Sequence, residues 1–224
     1  MYVYPELFPT RSVSLDKLVS WRKAWRLMLP SGDTWISGIS AAGDVNGDGL
    51  IEFAFGASSE EGQELWLLAL SEERGPVVDI ASALMEGRGQ VVSEREPSGY
   101  LGTPVGAGDF NGDGLSDVVM VAESRQYWGI ASILFGTAEP NEERIVLPGE
   151  GLFVLKPAQV GAAVRKGPLQ VKVIADLDGD FFSDLVFTSS DKHTYILYGS
   201  EELGTLGIAI YPDEIADYGA AIPE

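Results

Sequence analysis

Cysteine is absent from this chain of 224 residues, histidine occurs once, and 34 aspartates and glutamates face only 15 lysines and arginines. Each shortage removes a class of chemistry. Without cysteine there is no disulfide framework, no thiol nucleophile and no zinc–thiolate site. His193 alone cannot furnish the ligands of a zinc enzyme. Ser189, Ser190 and Asp191 beside it read as a solvated turn, whereas a hydrolase triad needs convergence in space. A formal charge of −19 sets the chain against nucleic acid and anionic membranes and makes divalent cations its natural counterions. The densest apolar run, Leu65 to Leu70, falls far short of the ~20 residues that span a bilayer, so no membrane insertion is expected. Met1 to Glu6 has neither the basic start nor the apolar stretch of a signal peptide. No glycine loop ends in Lys-Ser or Lys-Thr to cradle a phosphate, and there is no Arg-Gly-Asp and no Asn-X-Ser/Thr acceptor. No catalytic residue is assigned, and the chain reads as non-enzymatic.

What the chain has instead is one acidic loop written three times. The copies are Asp44-Val-Asn46-Gly-Asp48-Gly-Leu50-Ile-Glu52, Asp109-Phe-Asn111-Gly-Asp113-Gly-Leu115-Ser-Asp117 and Asp176-Leu-Asp178-Gly-Asp180-Phe-Phe182-Ser-Asp184. Aspartate, asparagine and glycine also favour ordinary tight turns. A turn, however, does not require carboxylates at positions 1, 5 and 9 with a further oxygen at 3, because such a cluster repels itself. Those four side chains, with the carbonyl of position 7, make the oxygen set that Ca²⁺ takes. Two calcium sites are therefore expected in the first two loops and a third in the last. There Phe181 stands where Gly49 and Gly114 supply a sharp bend, so a different backbone course and weaker binding are expected. Glu52 replaces aspartate at position 9 with a longer arm. An EF-hand is excluded because its twelfth position must be a bidentate glutamate between helices, and here that position is Phe55, Met120 or Phe187. Magnesium fits less well, since it keeps a small octahedral shell rich in water. Three calcium ions would bring the formal charge from −19 to −13.

The loops begin at residues 44, 109 and 176, intervals of 65 and 67 residues, which marks a structural repeat. Each follows a stretch of strand character, at Trp35 to Ala42, Tyr100 to Gly106 and Leu169 to Ala175. Each leads into a run apolar on both faces, at 51–57, 118–122 and 185–187, as suits a strand covered on both sides. Third strands are expected at 64–70, 129–136 and 194–199, and fourth strands at Val77 to Ile80, Arg144 to Leu147 and Gly207 to Tyr211. Four short antiparallel strands per repeat predict an all-β chain, a β-propeller of four-stranded blades.

Gly43-Asp-Val-Asn-Gly-Asp-Gly49 with Phe55-Gly-Ala57, and Gly108-Asp-Phe-Asn-Gly-Asp-Gly114 with Phe135-Gly136, resemble FG-GAP repeats of the integrin-alpha type. The resemblance runs from about Trp35 to Gly199. It implies calcium loops joining the first and second strands of each blade, on one face of the propeller. It also implies a ring of about seven blades, so three repeats leave room for a longer parent chain, for self-association or for a composite blade built by the ends. The expected units are 1–33 as a helix or partial blade, 34–99 and 100–167 as the first two blades, and 168–224 as the third blade with a terminal segment. Ser14 to Leu29 has the cap, first-turn acid and Pro30 stop of a helix, although Ala24 to Leu29 would also serve as a strand. Ser71 to Ser98 and Thr137 to Gly151 read as exposed connections that carry recognition.

The function expected is a calcium-stabilised interaction or adhesion scaffold, extracellular or on the cell surface, with a protein ligand. Trp21, Trp25, Trp35, Trp66 and Trp128 leave a carbohydrate-binding, lectin-like propeller as the alternative, although tryptophan more often fills a core. A polysaccharide-acting enzyme domain is the remoter one, because the best-organised carboxylates are committed to metal.

Overall fold

The computed structural model describes residues 14–30, 34–58, 62–70, 75–94, 101–123, 128–138, 143–148, 151–155, 170–188, 194–204, 209–210 and 219–222. The chain is mostly β, with two short helices among the described residues.

Ser14 caps helix α1 (Leu15–Ser20), which ends where Arg22 takes a left-handed φ of 55°. The chain then extends into strand β1 (Arg26–Met28), tied back to the helix by an Arg26–Asp16 ion pair. Helix and strand readings of this segment thus both hold, for different halves of it.

The repeat follows. Strands β2 (Trp35–Gly43), β3 (Glu52–Ser58), β4 (Gln63–Ala69) and β6 (Gly89–Glu94) form an antiparallel sheet in that order. The same order recurs in β7 (Thr103–Gly108), β8 (Asp117–Glu123), β9 (Trp128–Leu134) and β11 (Gly151–Leu155). It recurs again in β12 (Gln170–Ala175), β13 (Asp184–Thr188), β14 (Thr194–Leu197) and β16 (Gly219–Ile222). The first three strands of each unit lie within a residue or two of the stretches expected from sequence, except that β7 starts at Thr103 where Tyr100 was expected.

The fourth strands do not. Val77–Asp79 is β5, which pairs parallel with β1 and runs straight into helix α2 (Ile80–Met85). The segment around Arg144 is β10 (Glu143–Pro148), parallel to both β6 and β11, so that it joins the first two sheets edge to edge. Ala209–Ile210 is β15, parallel to β11, while Gly207 and Tyr211 lie outside the described residues. The true fourth strands are β6, β11 and β16. Ser71 to Ser98 and Thr137 to Gly151 are therefore not simply exposed connections. An outer strand such as β6, reading Gly-Gln-Val-Val-Ser-Glu, is half-buried and mixed in character, which hides it among loop-like neighbours.

The sheets pack face to face, which explains the doubly apolar runs. Ala54, Leu65, Leu67 and Val92 of the first sheet share one core with Val118, Met120, Ile130 and Leu134 of the second. Val119, Ala131 and Ile133, on the opposite face of the second sheet, share another with Leu185, Phe187 and Leu197 of the third. Each of the valine, leucine, isoleucine, phenylalanine and methionine side chains contributes roughly 1.5–3 kcal/mol relative to exposure. The remaining face of the first sheet, with Phe55, Trp66 and Leu68, is covered by Val78 of β5 and by Ile80 and Ala83 of α2. Among the described residues the sheets do not close into a ring.

Candidate metal centre

Each acidic loop joins the first strand of a sheet to the second, and all three fold by the same hydrogen-bond circuit. The carboxylate at position 1 accepts from the backbone N–H groups of positions 4 and 6. For Asp44 these are Gly47 at 2.7 Å and Gly49 at 2.9 Å. For Asp109 they are Gly112 at 2.7 Å and Gly114 at 3.0 Å. For Asp176 they are Gly179 at 2.6 Å and Phe181 at 3.1 Å. The carboxylate at position 5 accepts from position 7, with Leu50 and Leu115 at 2.8 Å and Phe182 at 3.0 Å. Position 3 accepts from position 5: Asn46 from Asp48 at 2.9 Å, Asn111 from Asp113 at 3.2 Å and Asp178 from Asp180 at 3.3 Å.

This circuit forces left-handed backbone at position 6, which glycine adopts without steric cost. Gly49 has φ 82° and Gly114 φ 85°, and Phe181 follows them at φ 77°. The expectation that the third loop bends differently is thus corrected. The Phe181 N–H is held by Asp176 in the same way as its glycine counterparts, and the ring stands 91% exposed.

Position 9 opens the second strand and is buried in all three repeats, as Glu52, Asp117 and Asp184. Its carboxylate reaches back to the N–H of position 2: Val45 at 3.0 Å, Phe110 at 2.7 Å and Leu177 at 2.7 Å. Asp117 and Asp184 also accept, both at 2.9 Å, from Gly136 and Gly199 just beyond the third strand. In the first repeat the matching residue is Leu70, and Glu52 Oε1 is buried without a partner.

Burial pushes Glu52 up to about 7; the Val45 N–H opposes this, and the charges of Asp48 and Asp44 add to it. Burial likewise pushes Asp117 up to about 7 against the pull of the Gly136 and Phe110 N–H groups, with Asp113 and Asp109 adding. Asp178 is raised by desolvation and by the charge of Asp180. Clustered carboxylates of this kind favour either a shared proton or a bound cation.

In the third loop, Asp176, Asp178 and Asp184 each bring a carboxylate oxygen within 4.8 Å of the others, an arrangement that could hold a metal ion. Asn46 and Asn111 put a neutral amide oxygen at that third position in the other two loops. The donor set contains only oxygen, and with the unpartnered Glu52 Oε1 it suits a hard divalent cation. Asp44, Asn46, Asp48 and Glu52, with their counterparts in the later loops, would hold such an ion. The carbonyls of Leu50, Leu115 and Phe182 would complete the shell.

A feature missed in the sequence links the loops. The Ser116 N–H donates to the Asp44 carbonyl and the Thr137 N–H to that of Val45, both at 2.9 Å. One repeat later, Ser183 donates to Asp109 at 2.7 Å and Ser200 to Phe110 at 2.9 Å. Serine at position 8 and glycine before the first aspartate, at Gly43 and Gly108, were the available signals: a side chain at either glycine would strike Ser116 or Ser183.

No protein-family model matches this sequence, and no curated protein matches it.

Proposed function

We propose that this chain is a calcium-binding, non-enzymatic interaction or adhesion scaffold of the β-propeller type, with the three sheets as FG-GAP-like blades. The observation that carries the reading is the circuit shared by all three loops, which buries the position 9 acid in each and in the third brings the carboxylates of Asp176, Asp178 and Asp184 within 4.8 Å of one another. Calcium there would neutralise that cluster and lock the first strand of each blade to the second. Through the serine N–H links, an ordered loop would also brace the next. Sites of millimolar affinity suit an extracellular or cell-surface setting, with a protein ligand held by the loops.

Calorimetric calcium titration of the chelator-stripped chain, paired with its melting temperature, tests this. Two or three sites and a clear rise in melting temperature are expected, because a ligand specific for the folded state adds about 2.7 kcal/mol at a hundredfold excess over its Kd. Absence of binding with an unchanged melting temperature would reduce the loops to acidic turns.

A second reading rests on Trp35 and Trp21, which are 56% and 53% exposed and so available to stack on a sugar. A glycan array whose hits vanish with Trp35→Ala would favour the lectin-like alternative.

A further inference from the structure

The two internal junctions, first sheet to second and second to third, are copies of one contact, so each end of the array can be compared with its buried equivalents. The tail, on the third sheet, is less covered. Leu177 is 46% exposed, whereas its counterparts Val45 and Phe110 are buried beneath the next repeat. Val186 and Ile196 are only half-buried, whereas Ala54 and Val119, and Leu67 and Ile133, are fully covered at the matching places. No backbone N–H of a described residue reaches the carbonyls of Asp176 or Leu177, which elsewhere in the repeat are engaged.

The head, on the first sheet, is not open in the same way. Where a preceding sheet would lie, β5 and α2 cover Phe55, Trp66 and Leu68, with Leu27 of β1 packed alongside. At its loop, Ile51 takes the place of Ser116 and Ser183 and is 62% exposed. Leu70 takes the place of Gly136 and Gly199, where a Cβ would lie 3.0 Å from the Val45 carbonyl oxygen or 3.1 Å from that of Phe110 in the preceding loop.

We propose that the layer formed by α1, β1, β5 and α2, together with Ile51 and Leu70, is an end cap that prevents the tail of a second copy of this chain from adding to the head. A head-to-tail contact of this kind is heterologous, and unless it closes into a ring it grows without limit. Stacked repeats commonly need such terminal caps. The apolar face of the first sheet supplies the drive for the blocked contact, so lifting the cap alone releases it.

Sedimentation velocity in calcium, over a range of concentrations, tests the proposal on three versions of the 224-residue chain. Wild type is expected to stay monomeric. The cap-lifting pair Ile80→Asp with Ala83→Asp is expected to give a sedimentation coefficient that rises with concentration. Adding Leu177→Lys at the tail should restore the monomer, since Leu177 is exposed in the single chain and lies on the face that the contact would bury. The proposal is overturned if the cap-lifted chain melts cooperatively yet stays monomeric. It also fails if that chain assembles regardless of Leu177→Lys, or if wild type already assembles through Leu177. Should the pair fail to fold, Asp79→Ala gives a milder opening, because it removes only the side chain that caps α2 through the Ser82 N–H at 2.8 Å. The same three outcomes are then read on that variant.

Discussion

Phe181 shows what one residue of the loop costs and what it does not change. An L-residue at φ 77° strains against its own carbonyl, by roughly 1–2 kcal/mol for a left-handed position. Its ring makes no compensating burial, being 91% exposed. Phe181→Gly should therefore keep the loop and raise stability by up to about 1 kcal/mol, the relief being partly offset by the greater chain entropy of glycine when unfolded. Chemical denaturation measures this directly. A loss of stability would show that the aromatic ring has a partner within the fold. The sequence alone announced the missing glycine but not its outcome. The bend is set by the carboxylate of Asp176 gripping two N–H groups, and that grip depends on aspartate at position 1, which the third loop retains.

At the scale of the element, the loop and its flanking strands act as one unit, because position 9 is both the first residue of the second strand and a ligand candidate. Asp113→Ala removes a position 5 carboxylate, which otherwise holds the Leu115 N–H at 2.8 Å. It should lower the melting temperature clearly in calcium and little in chelator; equal losses in both would mean that the aspartate serves the turn and no metal. Strands such as β3 and β4 were legible because packing on both faces demands apolar residues at nearly every position, and few other elements read that way. The outer strand β6 was not, since its half-buried, mixed sequence lacks that pattern. β5 was legible as a strand but was placed in the wrong sheet: pairing partners depend on register across the chain, which local composition does not carry. The links from Ser116 to Asp44 and from Ser183 to Asp109 escaped for the same reason.

Across the whole molecule, the buried carboxylates of Glu52 and Asp117 couple stability to pH in a direction that bound calcium would reverse. Glu52 and Asp117 titrate from ordinary values of 4.5 and 3.8 up to about 7 in the folded chain. A group raised on folding favours the folded state most when protonated, so its contribution is fully present below the unfolded value and is lost as pH rises through about 7. The metal-free chain should therefore melt at progressively lower temperature between about pH 4 and pH 7.5, and its charge of −19 at neutral pH works in the same direction. Bound calcium requires these carboxylates ionised, so proton and ion compete and calcium affinity should fall as pH drops below 7. Melting curves from pH 5 to pH 8, in chelator and in millimolar calcium, separate the two regimes: a falling profile without the ion and a flat or rising one with it. Parallel profiles would mean that the buried acids answer to protons alone, and the loops would then owe their shape to backbone N–H groups without any part for a cation.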